Sequence, residues 1–194
     1  LQISTDNVFS ATKDDPGPYL ENHDLESDSA KVTWYGFTKA EAEKRVEGRG
    51  SILRLIYPVR SKYPQKLDYI RKTLSLYQQG KLYPLFSDQQ VSITFVDEAC
   101  NAIEKITKQK QKGVFHASSS DLGTPYEICK YAINKFFQVD FDPQSQSIDN
   151  MENKVRYPKF GGLRVEETEK RLKIKFSTWR KIVDKLIDQG IATS

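Results

Sequence analysis

The sequence predicts an α/β fold: half of a doubly wound parallel sheet, joined to a smaller, helix-rich lobe. Three observations predict it. An apolar run at residues 1–9, a polar loop, a helical stretch at 32–46 and a second apolar run at 52–57 follow one another in the order of a strand, crossover and parallel strand. Beyond residue 60, helix-periodic apolar positions dominate, and only short strand-like runs interrupt them. Hydrophobic residues make up 38% and charged residues 29% of the 194 positions, a balance suited to one water-facing globular unit. Residues 1–60 are therefore assigned to the sheet domain, and 61–194 mainly to the lobe, interleaved with the last sheet elements.

Each element has a local cause. Leu1-Gln-Ile-Ser-Thr-Asp-Asn-Val-Phe9 reads as a strand with small hydroxyls near its end, and residues 10–31 as a polar loop of the kind that lines a site above strand ends. Gly48 and Gly50 stop the 32–46 helix before the strand at 52–57. Leu67, Ile70, Leu74 and Tyr77 mark an amphipathic helix closed by Gly80. Residues 82–86 and 91–95 read as short strands, and Asp97 as the cap of a helix whose Ala99, Ala102, Ile103 and Ile106 face inward. Residues 114–117 form another short strand. Thr124-Pro-Tyr-Glu127 is a capping box with proline at the first helical position, and it opens a helix over 125–137 with Ile128, Tyr131, Ala132 and Phe136 at core spacing. Residues 138–160 are irregular and polar. Helices over 165–172 and 178–187 complete the chain, the second closed by Gly190.

The chemistry-bearing residues lie in the first forty positions. Thr5 ends the first strand, and Tyr35 and Lys39 stand four apart on one helix face. A hydroxyl, a phenol and an ammonium are the groups that reduction of a ketone by hydride requires. A phenol ordinarily titrates near ~10, and a neighbouring ammonium favours its ionised form, which brings it toward useful acid–base behaviour. Spacing alone is not selective, because Tyr77/Lys81, Tyr126/Lys130 and Tyr131/Lys135 repeat it. Tyr35/Lys39 is set apart by its surroundings, a strand with small hydroxyls at its end before it and a second apolar strand after it, so the other three are read as ordinary helix-face or helix-end pairs. Arg54 and Tyr57, on the strand after the catalytic helix, are candidate substrate contacts. A structural ion pair for Arg54 and a packed aromatic for Tyr57 are the competing readings.

The segments Ile3-Ser-Thr-Asp-Asn-Val-Phe9, Pro18-Tyr-Leu-Glu21, Tyr35-Gly-Phe-Thr-Lys39 and Leu53-Arg54 resemble the extended short-chain dehydrogenase/reductases, and within them the dTDP-4-dehydrorhamnose reductases. The likeness continues more weakly through Phe95-Val-Asp-Glu-Ala99, Gly113-Val-Phe-His-Ala117 and residues 163–179. It implies a Rossmann-like, doubly wound sheet of which this chain carries the C-terminal part, an NADH or NADPH cofactor and a nucleotide-sugar substrate held by the helix-rich lobe. Thr5 would be the catalytic hydroxyl, Tyr35 the proton donor and Lys39 the lysine that binds the cofactor, with Tyr35 also against it. An epimerase of the same fold, or a non-catalytic regulatory subunit built on it, is the alternative. Asn7 stands where the family often has an aromatic residue. Because the residue after Asp6 is not glutamate, the sibling sugar-nucleotide dehydratases, which use an Asp-Glu pair, fit less well.

The ten glycines contain no G-x-G-x-x-G. Gly48-Arg-Gly50 follows a helix and precedes a strand, the wrong order for a phosphate cradle at a helix N-terminus. The resemblance therefore implies that about three βα units, on the order of 90 residues at ~30 per unit, precede Thr5 in a complete reductase. The expectation is that this 194-residue chain alone is inactive, binds neither dinucleotide appreciably and self-associates through the apolar edge of its first strand.

The remaining composition narrows the partners. No apolar run reaches the ~20 residues of a membrane span, and a cytoplasmic location without a membrane partner is expected. Cys100 and Cys129 are read as core thiols, and His23 and His116 have no metal-ligand spacing around them. The net charge is +4, and the densest basic run, Lys105 to Lys112, lacks interleaved aromatics. It reads as a solvated helix end rather than a nucleic-acid surface. A homodimer is the expected assembly.

Overall fold

A computed structural model describes residues 1–151 and 158–193. Its main sheet has three parallel strands in the order β1-β2-β6: β1 (Gln2–Thr5), β2 (Ser51–Leu55) and β6 (Gly113–Ala117). Thr5 pairs with Leu55, and Leu55 with Ala117, so the three strands end level with one another. α1 (Trp34–Val46) makes the crossover from β1 to β2. Two short parallel ladders extend the sheet end into the lobe, β3 (Pro58–Val59) with β5 (Thr94–Phe95), and β4 (Leu85–Phe86) with β7 (Ser145–Gln146). The main sheet thus takes β6 from well beyond residue 60, and the lobe is threaded through it.

Both faces of the sheet are covered. On one, Leu53, Phe115 and Ala117 pack with Ala99, Ala102 and Ile106 of α3 (Val96–Lys108) and with Leu172 of α5 (Glu166–Leu172). On the other, Ala40 of α1 joins Val8, Phe9, Tyr19, Ile56 and Leu163. The lobe has its own core. Ile70 and Leu74 of α2 (Tyr69–Gln78), Ile128, Ala132 and Ile133 of α4 (Pro125–Phe137), and Trp179, Ile182, Val183 and Leu186 of α6 (Trp179–Asp188) meet there. These helices carry their apolar residues at i, i+3 and i+4, so one stripe of each faces that core. A fully buried Leu or Ile contributes roughly 1.5–3 kcal/mol, and Leu186→Ala would remove one such contribution and leave a cavity, at ~2–5 kcal/mol.

Several expectations are corrected. The first strand stops at Thr5, because Asp6–Val8 turn into a 3-10 helix with the Thr5 side chain as its cap. The second stops at Leu55, and Tyr57 beyond it has a left-handed backbone with φ of 42°. The runs at 82–86 and 91–95 are strand only at Leu85–Phe86 and Thr94–Phe95. Asp97 is not the cap of α3: Phe95 occupies that position, without a side-chain bond, and Asp97 sits in the first turn, favourable to the helix dipole. Cys129 is buried, but Cys100 is exposed and so is no core thiol. The capping box of α4 is present, with Thr124 accepting from Glu127 N and the Glu127 carboxylate accepting from Thr124 N. Of the irregular segment 138–160, residues 152–157 lie outside the described residues, while β7 and a 3-10 turn at Ile148–Asn150 break up the rest.

Candidate active site

The site is assembled where β1 gives way to the Asp6–Val8 turn and α1 starts across from it. Thr33 caps α1, its Oγ1 accepting from Gly36 N at 3.0 Å. Gly36 lets the two segments touch: a Cβ there would lie 2.0 Å from the Asn7 carbonyl oxygen. No side chain fits that contact, so the glycine of Tyr-Gly-Phe-Thr-Lys sets how closely the helix approaches the strand end. Tyr35, beside it, is 53% exposed. The Lys39 ammonium stands 5.8 Å from the Tyr35 ring centroid and donates to the Ile3 carbonyl at 3.0 Å. The helix pair and the strand that carries Thr5 are therefore linked through two contacts, Gly36 against Asn7 and Lys39 on Ile3.

Thr5 itself is buried and fully engaged. Its Oγ1 donates to Asp6 Oδ1 at 3.1 Å and accepts from Asn7 N at 3.3 Å and Asn7 Nδ2 at 3.2 Å. Burial pushes the Asp6 carboxyl up to about 6, against hydrogen bonds from Thr5, Asn7 and the backbone that pull it down.

The three other Tyr-x-x-x-Lys pairs are accounted for by packing and local ion pairs. Tyr77 packs on Phe137 and Phe141, with ring centroids 4.9 and 4.7 Å away. Tyr126 and Lys130 both bond to Asp142. Tyr131 donates to Asp184 Oδ1 at 3.0 Å, with Lys135 3.6 Å from the same oxygen.

Of the two candidate substrate contacts, Arg54 is placed inside the fold. It is 2% exposed. Its Nη2 lies 2.7 Å from Glu43 Oε2, its Nε donates to both oxygens of that carboxylate, and its Nη1 donates to His116 Nε2 at 3.2 Å. The ion pair, not a substrate contact, is the reading the geometry supports. Arg54 and Glu43 are eleven residues apart on a strand and the preceding helix, on the sheet face that α1 covers. His116 in turn donates from Nδ1 to the Arg164 carbonyl at 2.8 Å, and burial together with the Arg54 charge holds its imidazole down to about 3.

Tyr57 lies elsewhere, just past the end of β2. It lines a cavity of about 420 Å³ together with Tyr69, Tyr83, Phe86, Gln89 and Gln146. Tyr57 packs on Tyr69 with ring centroids 5.4 Å apart, and burial pushes the Tyr69 phenol well above its ordinary value. Two larger hollows of about 560 and 550 Å³ lie along residues 20–25, the first over Val114 and the second over Val114, Ile52, Glu43 and Arg54. Ligands of open parallel sheets bind at the carboxyl ends of strands, and Tyr57 puts the aromatic cavity just past the end of β2. Its Tyr69, Tyr83, Gln89 and Gln146 come from segments far apart in sequence, and no spacing signal could have gathered them. Asp6 lies within the Ile3–Phe9 segment, but its hold on Thr5 depends on the turn geometry. Among the described residues no cluster of His, Cys, Asp and Glu could hold a metal ion, and no helix is long and apolar enough to cross a membrane.

Fold and site together define an α/β domain of the doubly wound class, with a hydroxyl at the end of β1 and a phenol and ammonium on the helix packed against it. The family model described as the RmlD substrate binding domain matches residues 1–191, and the chain belongs to that family. The fold is similar to dTDP-4-dehydrorhamnose reductase from Bacillus anthracis in complex with NADP, with a TM-score of 0.81 and 20% identity over 97% of this chain and 64% of that one. It is also similar to the orthologue from Clostridium acetobutylicum, with a TM-score of 0.79, 20% identity and the same coverages. UDP-glucuronic acid 4-epimerase from Bacillus cereus in complex with NAD is more distant, with a TM-score of 0.66 and 14% identity over 97% of this chain and 61% of that one. The chain thus spans less than two thirds of the length of these structures. No curated protein sequence matches it.

Proposed function

We propose that this chain supplies the proton-handling groups and the sugar-nucleotide side of a nicotinamide-dependent reductase acting on a keto-sugar nucleotide of the dTDP-4-dehydrorhamnose type. The observation that carries the reading is that Lys39 stands by Tyr35 and donates to the Ile3 carbonyl of the strand that ends in Thr5, while Tyr57, just past the end of the neighbouring strand, lines an aromatic cavity. A nicotinamide cofactor supplies the hydride. Tyr35 delivers the proton that the ketone oxygen gains as the carbonyl becomes an alcohol, and Thr5 holds that oxygen once its own proton is released from Asp6. Lys39, its ammonium between Tyr35 and the Ile3 carbonyl, stabilises the phenolate left behind and offers its remaining donors to the cofactor ribose.

The residues present suit only one end of a dinucleotide. Lys39 and the exposed Tyr35 match its nicotinamide ribose, whereas the described positive-φ glycines, at 48, 80, 113, 162 and 190, form no phosphate cradle before a helix. Tyr57, Tyr69 and Phe86 offer ring faces to a base, and Gln89 and Gln146 offer amide donors and acceptors to its edge.

Replacing Tyr35 by Phe tests the reading in the longest native form of the polypeptide, with a keto-sugar nucleotide and NADPH or NADH. Loss of the hydroxyl should lower kcat by ~10²–10⁴-fold with little change in cofactor affinity. Tyr77→Phe, Tyr126→Phe and Tyr131→Phe should stay within a few-fold of wild type. Near-normal kcat in the Tyr35 variant would reduce that residue to surface packing. Lys39→Met should weaken both cofactor binding and turnover and move the activity profile to higher pH.

A further inference from the structure

Thr5 cannot serve a ketone oxygen in the hydrogen-bonding state described above. A hydroxyl has one proton and two acceptor lone pairs. The Thr5 proton is given to Asp6 Oδ1, and its lone pairs take the two N–H groups of Asn7. Asn7 Nδ2 also donates to Asp6 Oδ1 at 3.1 Å, closing a ring of three side chains. Both Thr5 and Asp6 are buried, at 6% and 5% exposure, so water does not readily take over either role.

We propose that Asp6 is a positioning residue that gates ketone reduction, holding the Thr5 proton away from substrate when ionised and releasing it when protonated. A neutral carboxyl carries one O–H donor. Given to Thr5 Oγ1 in place of the Asn7 Nδ2 bond, it frees the threonine proton to be donated to the oxygen to be held. One proton is added to the Asp6–Thr5 pair and none is consumed, since the proton that stays on the product comes from Tyr35. The inference rests on the reductase reading of this site.

The surroundings of Asp6 leave its protonation to be decided by burial and hydrogen bonds. α1, packed on the same turn, brings Tyr35 and Lys39, and the ammonium is committed to the Ile3 carbonyl. Across from them lies Gly161, on which a Cβ would be 3.7 Å from Asp6 Oδ2. Lys159, in that same segment, is taken by Asp88 and Asp149. Segment 10–23 brings His23 and Asp15, which are paired with each other at 2.9 Å. With the carboxyl pushed up to about 6, the gate changes state within the pH range in which an enzyme is assayed.

The experiment is the pH dependence of kcat for keto-sugar-nucleotide reduction in the longest native form, alongside ¹³C NMR titration of the Asp6 carboxyl. Wild type should lose about tenfold in kcat per pH unit above a midpoint near the Asp6 value. Asp6→Asn, whose amide can donate to Thr5 at any pH, should abolish that limb. Asn7→Ala removes a hydrogen bond that lowers the Asp6 value, so limb and NMR midpoint should move together to higher pH. A limb that survives Asp6→Asn, or an Asp6 midpoint at the ordinary carboxylate value of ~4, overturns the gate while leaving the reductase reading intact. Absence of turnover at every pH overturns the reductase reading, and the gate with it.

Discussion

Substituting Glu43 by Gln is expected to destabilise the fold by ~3 kcal/mol, the lower end of the range for breaking a buried ion pair from one side. The magnitude follows from the surroundings of Arg54. The two side chains are 3% and 2% exposed, and three N–H···O contacts of 2.7–3.2 Å join them. The amide would keep the shape and one acceptor oxygen but leave the largely buried guanidinium without its anion. His116 Nε2 and the Glu21 carbonyl, at 3.2 and 3.4 Å, satisfy hydrogen-bonding capacity but carry no charge to compensate. Glu43→Ala, which also opens a cavity, should reach ~4–5 kcal/mol. Urea unfolding measures the loss: with a slope of ~2 kcal/mol/M, the midpoint of Glu43→Gln falls by ~1.5 M. Adding Arg54→Met should recover part of it, because the uncompensated charge is then gone. A loss below ~1 kcal/mol, or a double variant worse than the sum of the singles, would refute the assignment of Arg54 as a structural ion-pair residue.

Other consequences are simpler to state. Gly36→Ala should push α1 off the Asn7 carbonyl at a cost of ~1–3 kcal/mol or more, lowering both the thermal midpoint and turnover, whereas Gly48→Ala, with open space around it, should spare turnover and show only left-handed backbone strain in stability. His116, held down to about 3 by burial and Arg54, stays neutral in the folded state while the unfolded chain protonates near ~6.5. Its contribution is therefore fully present above ~6.5 and is lost as pH falls toward 3, by at most ~5 kcal/mol. Asp6, raised to about 6, acts in the opposite sense, favouring the fold at pH below ~4 and losing that contribution as pH rises through 6. Unfolding measured across pH 4–7 should thus show a steeper acid loss in Asp6→Asn and a shallower one in His116→Gln. Thr124→Ala should cost ~1 kcal/mol through the cap of α4, read as a lower urea midpoint with an unchanged slope.

The elements legible in the sequence are those whose causes are local. The capping box at Thr124 and Glu127, the apolar stripes of α2, α4 and α6, and the glycine stops at 80 and 190 need only neighbours within a helical turn or two. Tyr35 and Lys39 belong to this class, since a spacing of four places them on one helix face before any packing is known. The short strands at 85–86 and 94–95 and the start of α3 were less legible, because parallel ladders with β7 and β3 set their extent.

What tertiary structure added is the surroundings of each of several equivalent local signals. Four Tyr-x-x-x-Lys pairs are indistinguishable by spacing. Asp142 and Asp184 occupy two of them, Phe137 and Phe141 pack on a third, and Gly36 seats only the remaining one against the Thr5 strand end. The same holds for Arg54, whose role turns on Glu43 and His116, and for Tyr57, whose cavity draws on residues from 57 to 151. Thr5 was visible as a hydroxyl at a strand end, yet the owner of its proton depends on a backbone turn that folds Asp6 and Asn7 back onto it. Side-chain type and helical spacing are properties of the chain alone. Charge pairing, desolvation and hydrogen-bond direction depend on what the fold places next to each group, and they exist only once the strands and helices have packed.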